Sequence, residues 1–278
     1  RSGNHEDTFF SLIDMFGEYS FEKIEYKQGH AWGYLLKGED FGQLYMNHDG
    51  AMAYIGSEKA KDHSLSLKVT TPLLLRNVFL KELKILGDYA TFSGVNHITS
   101  LKGSGFKNPE TNALGTNTLG TNTLGTYDII AGATLEAQSL TFKNVNFLQR
   151  GSLLSQTFLD VKLEGGSCVN EGFISADTLR MTSSESMVNT GSINAKKVEG
   201  DVKTWQEQGV LSAPLLTLRA TDSIRLTDEV VVVSDIGILE TEHLYSKASL
   251  NFSKLNLQAD IIKLQGNLEN IKSLAIQA

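Results

Sequence analysis

One short pattern recurs seven times between Ala133 and Ile262: usually a small residue, Leu or Ile two later, Ala or Ser/Thr two after that, and an apolar residue three further on. Successive copies begin 18, 21, 19, 18, 28 and 18 residues apart. The copies are ATLEAQSL (133–140), GSLLSQTF (151–158), GFISADTL (172–179), GSINAKKV (191–198), GVLSAPLL (209–216), GILETEHL (237–244) and LNLQADII (255–262). A period near 19 residues predicts a solenoid in which each repeat forms one coil.

The spacing within each copy is typical of a β-strand, because residues two apart lie on the same face of a strand. The last apolar residue of the pattern is out of phase, which predicts a corner between two strands. A coil of about 19 residues then holds two or three short strands, each paired in parallel with the same strand of the next coil about 4.8 Å away. The predicted fold is mostly β: a right-handed parallel β-helix with a small α+β N-terminal cap.

Stacked coils place equivalent residues above one another, so the repeat predicts ladders inside the helix. A single coil buries too few Leu side chains to offset the entropy of ordering it, and only a stack can fold. One predicted ladder is Leu135, Leu153, Ile174, Ile193, Leu211, Leu239 and Leu257. A second is Leu140, Phe158, Leu179, Val198, Leu216, Leu244 and Ile262. Small residues lie between them where the interior is narrow: Ala137, Ser155, Ala176, Ala195, Ala213, Thr241 and Ala259.

The region before the repeats differs in character. Residues 1–64 are rich in aromatics and do not repeat, and we interpret them as an α+β cap or flanking domain. Asp7-Thr8 before an apolar cluster predicts one short helix. Asp49-Gly50 between two apolar runs predicts a hairpin.

The predicted β-helix spans residues 65–278. TPLLLRNV (71–78) fits the repeat loosely and is interpreted as an early coil. Residues 102–126, with LGTNT twice, are predicted to be a solvated loop inserted between coils. The 28-residue interval from 209 to 237 predicts either one extra loop, near 220–235, or further strands in a wider coil.

Composition narrows the classes of function. The net charge of −7 argues against non-specific binding to nucleic acid or an anionic membrane, which needs a basic face. One cysteine excludes an intrachain disulfide framework. No apolar run approaches the roughly 20 residues that span a bilayer. The start Arg1-Ser2-Gly3 and the strand-like, uncapped end at 268–276 lead us to expect a fragment of a longer protein.

Two copies carry a resemblance to a known family. VNEGFISADTLRM (169–181) and VNTGSINAKKV (188–198) resemble the haemagglutinin-type repeat of large bacterial exoproteins, in which N-x-G-x-I-x-A-x-x-L recurs about every 20 residues. That family includes filamentous-haemagglutinin-like adhesins and the stick-like toxins of contact-dependent inhibition. The resemblance implies a secreted or surface location and a role as adhesin or toxin stalk. Its secretion-domain motifs are absent from this sequence.

Carboxylates on a β-helix face would indicate a polysaccharide lyase or hydrolase. The outward position after each inward small residue reads Gln138, Gln156, Asp177, Lys196, Pro214, Glu242 and Asp260. Glu242 and Asp260 are predicted to stack about 5 Å apart, close enough to hold a cation, although a solvated face is the simpler interpretation. Asp177 above Lys196 predicts a surface ion pair.

Other candidate groups have ordinary structural explanations. His48-Asp49 fits a turn better than catalysis, and Cys168 fits a buried small residue better than a nucleophile paired with His97 or His243. Gly103 and Gly105 lack the strand-to-helix context of a phosphate loop. Trp32, Tyr34, Tyr45 and Tyr54 form either a binding surface or, as we expect, the core of the cap.

The sequence therefore predicts a non-enzymatic, rigid β-helical segment of a large secreted or surface bacterial protein, with no catalytic, metal or cofactor site. Its predicted partners are a protein or glycan on a host or target cell and other domains of a larger parent chain, with no nucleic acid and no membrane insertion. Recognition is expected from loops such as 102–126. The alternatives are a carbohydrate-active β-helix enzyme and a toxin module in which residues 1–64 bind a receptor or a neighbouring domain.

Overall fold

The computed structural model describes residues 52–107, 124–227 and 230–278, together with three preceding strands at 22–28, 31–38 and 42–47. Those strands are β1 (Glu22–Gln28), β2 (Ala31–Gly38) and β3 (Gly42–Asn47), and β4 (Met52–Gly56) follows. The four pair in sequence as an antiparallel meander. The predicted hairpin is confirmed by the β3–β4 pairing of Met46 with Met52, and its turn at Asp49-Gly50 lies outside the described residues. The predicted helix after Thr8 also lies outside them.

Parallel pairing begins at β4, which carries the meander into a solenoid of about 11 turns. A 3₁₀ turn, Glu58–Ala60, precedes its remaining strands. In chain order these are β5 (Ser64–Lys68), β6 (Leu73–Arg76), β7 (Phe79–Leu86), β8 (Ala90–Ser93), β9 (Val95–Ser104), β10 (Gly125–Ile129), β11 (Thr134–Glu136), β12 (Ser139–Lys143), β13 (Val145–Gln149), β14 (Ser152–Leu154), β15 (Phe158–Glu164), β16 (Cys168–Asn170), β17 (Phe173–Ser183), β18 (Ser186–Asn189), β19 (Ser192–Glu207), β20 (Val210–Ser212), β21 (Leu215–Leu226), β22 (Val231–Ser246), β23 (Leu250–Leu264), β24 (Leu268–Glu269) and β25 (Ser273–Gln277).

Each complete coil has three faces, which the later, longer strands cross without interruption. In one coil, face one is 134–136, face two is 139–143 and face three is 145–149, and each pairs in parallel with 152–154, 160–164 and 168–170 of the next coil. The predicted parallel β-helix is confirmed. The predicted corner is visible in β17, where Ala176 and Leu179 are buried and Asp177 between them is exposed.

The first predicted ladder forms over five coils. Leu135 pairs with Leu153, then Ile174, Ile193 and Leu211 in unbroken register on face one. All five side chains are completely buried. Ala176 and Ala195 also stack on each other, and Ala137 and Ala213 are buried as expected.

The prediction is wrong for the last two members of each set. Above Leu211 the face-one ladder continues through Val232 and Leu250, whereas Leu239 and Leu257 stack on Leu218 on face two. Ala259 likewise lies above Thr241 and Ala220, at the end of face two. Two faces of this solenoid show the same alternation of inward apolar residues, so a pattern this short matches either face.

The apparent 28-residue interval has the same cause. Val210 pairs with Val231, so this coil has 21 residues and needs neither an extra loop nor a wider coil. Glycines distinguish the copies of the pattern that lie on face one from the copy beginning at Gly237, which lies on face two. A Cβ on Gly172, Gly191 or Gly209 would lie 2.1–2.2 Å from the carbonyl oxygen of the corner glycine one coil below, whereas a Cβ on Gly237 would meet the Phe252 ring. The corner needs glycine because neighbouring backbones approach closely there.

The second predicted ladder is correct in its centre only. Leu179, Val198 and Leu216 stack on face two. Phe158 is one residue out of register: Leu159 pairs with Leu179, and Phe158 is 37% exposed. Leu140 lies in a neighbouring row, against Leu101 and Val161. Leu244 and Ile262 stack on Ile224 on face three, because the last two copies of the pattern lie one face further along the coil than the others.

The inserted segment is shorter than predicted at both ends. Residues 102–104 complete β9, and Gly125 and Thr126 already belong to β10. Residues 108–123 lie outside the described part of the chain. The strands on either side pair as neighbours, for example Lys102 with Thr141, so the stack continues across the insertion. One hydrophobic core runs from Leu44 to Ala259.

Candidate functional site

Two rows of side chains run along the outer surface of face two, and a shallow groove lies between them at each end of the face. Row A passes through consecutive coils by direct strand pairing. Its members are Ser66, Lys84, Lys102, Thr141, Lys162, Thr182, Asp201, Arg219, Glu240, Gln258 and Gln277. Row B lies two residues further along each strand and includes Lys68, Leu86, Ser104, Lys143, Glu164, Glu242 and Asp260.

The first coils form the basic end of the groove, defined by Lys68, Lys84 and Lys102. Here the groove encloses about 460 Å³ between Ser66, Lys84 and Lys102 on one side and Lys68, Leu86 and Ser104 on the other. Lys84 and Lys102 share one partner, since the Glu82 carboxylate lies 3.2 Å and 3.8 Å from their ammonium groups. Three cations and one anion leave this end positively charged in a chain whose net charge is −7.

The last coils form the acidic end of the groove, defined by Asp222, Glu242 and Asp260. Here the groove encloses about 390 Å³, lined by Glu240, Gln258, Asp260 and Gln277 among others. A shift of register between Ala220 and Ser223 adds a residue to β21 and places Asp222 next to Glu242. β-Bulges of this kind re-aim a side chain. All three carboxylates are exposed.

The acidic end includes a group with the composition of a metal site. Ligand atoms of Asp222, Glu242 and His243 lie within 4.8 Å of one another. His243 Nδ1 lies 3.2 Å from the backbone oxygen of Asp222, and the ring stacks on Tyr245 with centroids 6.3 Å apart. A carbonyl only accepts, so Nδ1 is the donor and Nε2 carries the lone pair when the ring is neutral. Exposed carboxylates of this kind are also common on solvated surfaces.

Beneath the surface, face three contains a ladder of buried polar side chains. Gln149 Nε2 donates to Asn170 Oδ1 (3.0 Å), Asn170 Nδ2 to Asn189 Oδ1 (2.8 Å) and Asn189 Nδ2 to Glu207 Oε2 (2.6 Å). Each amide also donates to a backbone oxygen on the face-one strand that follows its side-chain acceptor, those of Phe173, Ser192 and Val210. All four side chains are completely buried. The amide ladder therefore ties two faces and four coils together.

Glu207 ends the amide ladder as a buried carboxyl group. Besides Asn189, the Trp205 indole N–H and the Gly209 backbone N–H donate to it, at 3.4 Å and 3.3 Å. Leu226 lies above it in register. Desolvation by burial raises the pKa of Glu207 to about 7, and the hydrogen bonds from its neighbours act against that rise.

The sequence contained a signal for this ladder that spacing arguments missed. Gln149, Asn170, Asn189 and Glu207 each precede a corner glycine by two residues: Gly151, Gly172, Gly191 and Gly209. The sequence analysis used only the two Asn-x-Gly copies, as part of the family resemblance, and predicted no buried ladder from them. The structure gives both residues of the motif a physical role, because the Asn links coils by hydrogen bonds and the Gly allows the backbones to approach.

The predicted surface pairs are found where expected. Lys196 Nζ lies 3.3 Å from Asp177 Oδ1, and both side chains are more than half exposed. Glu242 and Asp260 lie on adjacent coils, since their neighbours Thr241 and His243 pair with Ala259 and Ile261.

Cys168 has no catalytic environment. It is fully buried between Phe147 and Met187 in the face-three register, and burial raises its thiol pKa to about 12. Its imagined partners lie elsewhere: His97 stacks on Phe79 and contacts Glu136, and His243 lies beside Asp222. The interpretation of Cys168 as a buried small residue is confirmed.

The structure describes only some residues of the three other candidates, which are the glycines near 103, the His48-Asp49 pair and the aromatic cluster of residues 1–64. Gly103 lies in β9, where a Cβ would meet the Tyr127 ring at 2.2 Å, so its role is packing. Tyr54 is buried, whereas His48, Asp49 and the side chains of Trp32, Tyr34 and Tyr45 lie outside the described residues.

No helix in the described ranges has the length and apolar character to cross a membrane. No protein-family model matches the chain, and neither a curated protein nor a solved structure shows significant similarity to it.

Proposed function

We propose that this chain is a non-enzymatic rigid segment of a large secreted or surface bacterial protein. It acts in adhesion or as the stalk or receptor-binding part of a toxin. Its partners are a protein or glycan on a host or target cell and other domains of the parent chain. The repeat resemblance described above supports the bacterial-surface setting.

One observation carries the proposal: the interior is a single stack of ladders without a break between coils. At about 4.8 Å per coil, about 11 turns extend roughly 50 Å. Each coil is bonded to the next on three faces, and the amide ladder adds side-chain bonds between coils. Such a stack resists bending at any one coil, which suits a spacer that holds a binding surface away from a cell.

The outer surface supports presentation rather than catalysis. The outward positions of row A are all polar or charged, and charged side chains on face two pair across coils, as Arg180 does with Glu199 and Arg219 with Glu240. The most strongly perturbed carboxyl group, Glu207, is enclosed by the amide ladder instead of facing a groove.

The experiment uses cells that make the parent protein. Fab fragments raised against the folded chain should label intact, unpermeabilised bacteria and reduce their attachment to target cells. Fab fragments that recognise only the unfolded chain are the matched control and should do neither. Labelling that appears only after permeabilisation would exclude a surface role, and surface labelling without any effect on attachment would exclude adhesion.

A second function, a carbohydrate-active enzyme, is favoured by the Asp222–Glu242–His243 group alone. Depolymerase assays on pectin, alginate and glycosaminoglycans, with and without calcium and across pH, test it. Turnover that is abolished by Glu242→Ala or Asp260→Ala, but unaffected by Glu164→Ala in the same row of face two, would replace the non-enzymatic proposal.

A further inference from the structure

The two ends of the face-two groove carry opposite charge on the same surface. The basic end (Lys68, Lys84 and Lys102) lies on β5, β7 and β9, and the acidic end (Asp222, Glu242 and Asp260) follows the face-two strands of β21, β22 and β23. All six side chains are exposed. Each set takes one residue from each of three consecutive coils, so neighbouring members of either set are spaced by the distance between coils, about 4.8 Å.

The positions of the two ends are symmetric along the face. Face two has eleven strands, contributed by β5, β7, β9, β12, β15, β17, β19, β21, β22, β23 and β25. The lysines lie on strands one, two and three, and the carboxylates on strands eight, nine and ten. If a second copy is turned end over end, strand one meets strand ten, two meets nine and three meets eight. Lys68 then faces the coil of Asp260, Lys84 that of Glu242 and Lys102 that of Asp222.

We propose that face two is a two-fold interface, on which a second copy of this chain docks antiparallel with each basic end on the partner's acidic end. A two-fold axis parallel to the strands reverses the order of the coils and keeps the position along each strand, so each row faces the same row of the other copy. Lys68 then lies opposite Asp260, and Lys84 lies opposite Glu240 with Glu242 two residues further along the strand. Lys102 lies opposite Arg219, with Asp222 three residues further along. The contact is isologous, so each charge pair occurs twice. This association is independent of the proposed function.

Two pairs of like charges also meet in this arrangement, and each of these charges keeps a carboxylate partner in its own copy. Lys102 lies opposite Arg219, and they pair with Glu82 and Glu240. Lys143 lies opposite Lys203, and they pair with Glu164 and Glu185. Strands five and six meet at the centre, where Lys162 and Glu164 face Thr182 and Ser184 of the other copy. No acidic coil faces another acidic end.

The face is large enough for a specific interface. The ten strands that overlap, at about 4.8 Å each and with five residues at about 3.3 Å, cover roughly 800 Å² per copy, which is the usual size for one side of a stable complex. Because the contact depends on exposed charges, we expect it to weaken as salt screens them.

Sedimentation velocity of the full chain, in buffer with EDTA so that no metal bridges the copies, tests the proposal. A dimer at 50 mM NaCl whose Kd rises at least tenfold at 500 mM NaCl is expected. A chain that is monomeric at about 100 μM in low salt would overturn the proposal and leave the basic end to another occupant.

Charge reversal tests the pairing itself. The variant Lys68→Glu/Lys84→Glu/Lys102→Glu and the variant Asp222→Lys/Glu242→Lys/Asp260→Lys should each be monomeric, because like charges then meet at both ends. An equimolar mixture of the two should form a heterodimer. The matched control Lys61→Glu/Lys247→Glu/Lys272→Glu makes the same change of net charge away from the groove and should dimerise like the parent chain.

Circular dichroism shows whether each variant is folded, and all substituted side chains are exposed, so the fold should persist. Dimers in both reversed variants, or folded variants that fail to associate on mixing, would contradict the antiparallel pairing. A control that loses its dimer equally would show that net charge, rather than this face, decides association.

Discussion

Two ladders run through the same coils and stabilise the stack by different interactions. On face one, Leu135, Leu153, Ile174, Ile193 and Leu211 stack as apolar side chains. On face three, Gln149, Asn170, Asn189 and Glu207 stack as a chain of hydrogen bonds. Apolar contact has no direction and accepts any side chain of suitable volume. A buried hydrogen-bond chain needs one correct donor and acceptor at every step.

Because of that difference, one ladder can supply most of the stability while the other determines the register of the coils. The apolar ladder supplies burial in any register that keeps large side chains inside, and indeed the same pattern recurs on two faces of this protein. The amide donors of the ladder reach their acceptors only when Asn170 lies on Gln149 and Asn189 on Asn170, since a slipped coil would leave these buried donors without partners. We infer that the apolar ladder provides most of the free energy and the amide ladder fixes the alignment of coils.

The largest expected effect is loss of volume from the apolar ladder. Ile193 is fully buried between Ile174 and Leu211, and Ile193→Ala should lower the free energy of unfolding by about 2–5 kcal/mol through lost burial and a cavity. Urea denaturation followed by circular dichroism measures it. Ile193→Val is the matched control and should cost about 1 kcal/mol. Equal, small losses for both would show that the interior is loosely packed.

The next effect is a pH dependence that only the amide ladder has. The pKa of Glu207 is about 7 in the folded protein and ordinary, about 4.5, when unfolded, so the folded state binds the proton more tightly. The free energy of unfolding that protonated Glu207 contributes is therefore fully present below about pH 4.5. It falls as pH rises to about 7, by roughly 3 kcal/mol at most.

Comparing the parent chain with Glu207→Gln isolates this contribution from the titration of other groups. Because the neutral amide of Gln stands in for the protonated carboxyl, the parent chain should lose stability relative to Glu207→Gln as pH rises from 5 to 8, and the difference should stay level above that. The surface change Glu185→Gln is the control and should leave the slope almost unchanged. A slope that survives Glu207→Gln intact would mean that other groups set the pH dependence.

Removing a middle step of the amide ladder should have a moderate effect. Asn189→Ala deletes the donor to Glu207 and the acceptor for Asn170, leaving buried polar atoms unpaired, so we expect a loss of about 1–3 kcal/mol. Native-state hydrogen exchange should show faster exchange on both neighbouring coils. The control is Asn194→Ala, at an exposed position five residues on, which should change the unfolding free energy and the exchange rates little. Equal losses of stability in the two variants would show that the amide ladder does not align the coils.

The smallest expected effect is on the outer surface. The Asp177–Lys196 pair is 3.3 Å apart but exposed, so a double-mutant cycle with alanine should give a coupling of less than about 1 kcal/mol that declines with salt. A coupling as large as the loss from Asn189→Ala would show that exterior charge pairs, and not the interior, align the coils.

These contrasts also show what the sequence could predict. The parallel β-helix and the register of Leu135 to Leu211 followed from the repeat, because alternation and period are direct consequences of strand geometry. The face to which Leu239 and Leu257 belong did not follow, since faces one and two share the same alternation. Phe158 was misplaced by one residue because the corner before it is longer than in neighbouring copies.

The candidate sites were harder to predict than the fold. Glu242 beside Asp260 and Asp177 beside Lys196 could be placed once the period was known, since each pair lies one coil apart. Asp222 could not, because the additional residue in β21 that brings it to Glu242 leaves no mark in the repeat. The basic end of the groove lies on β5, β7 and β9, where the sequence matches the repeat only loosely, so the register that aligns Lys84 with Lys102 could not be predicted.

The register above Leu211 is the most direct test of the stacked-coil account. Backbone amide-to-Hα NOEs report only strands that are immediate neighbours. The account predicts an unbroken series linking Ile174 to Ile193, Ile193 to Leu211 and Leu211 to Val232. A series that instead links Leu211 to Leu239, or amide contacts typical of helices in this region, would contradict it.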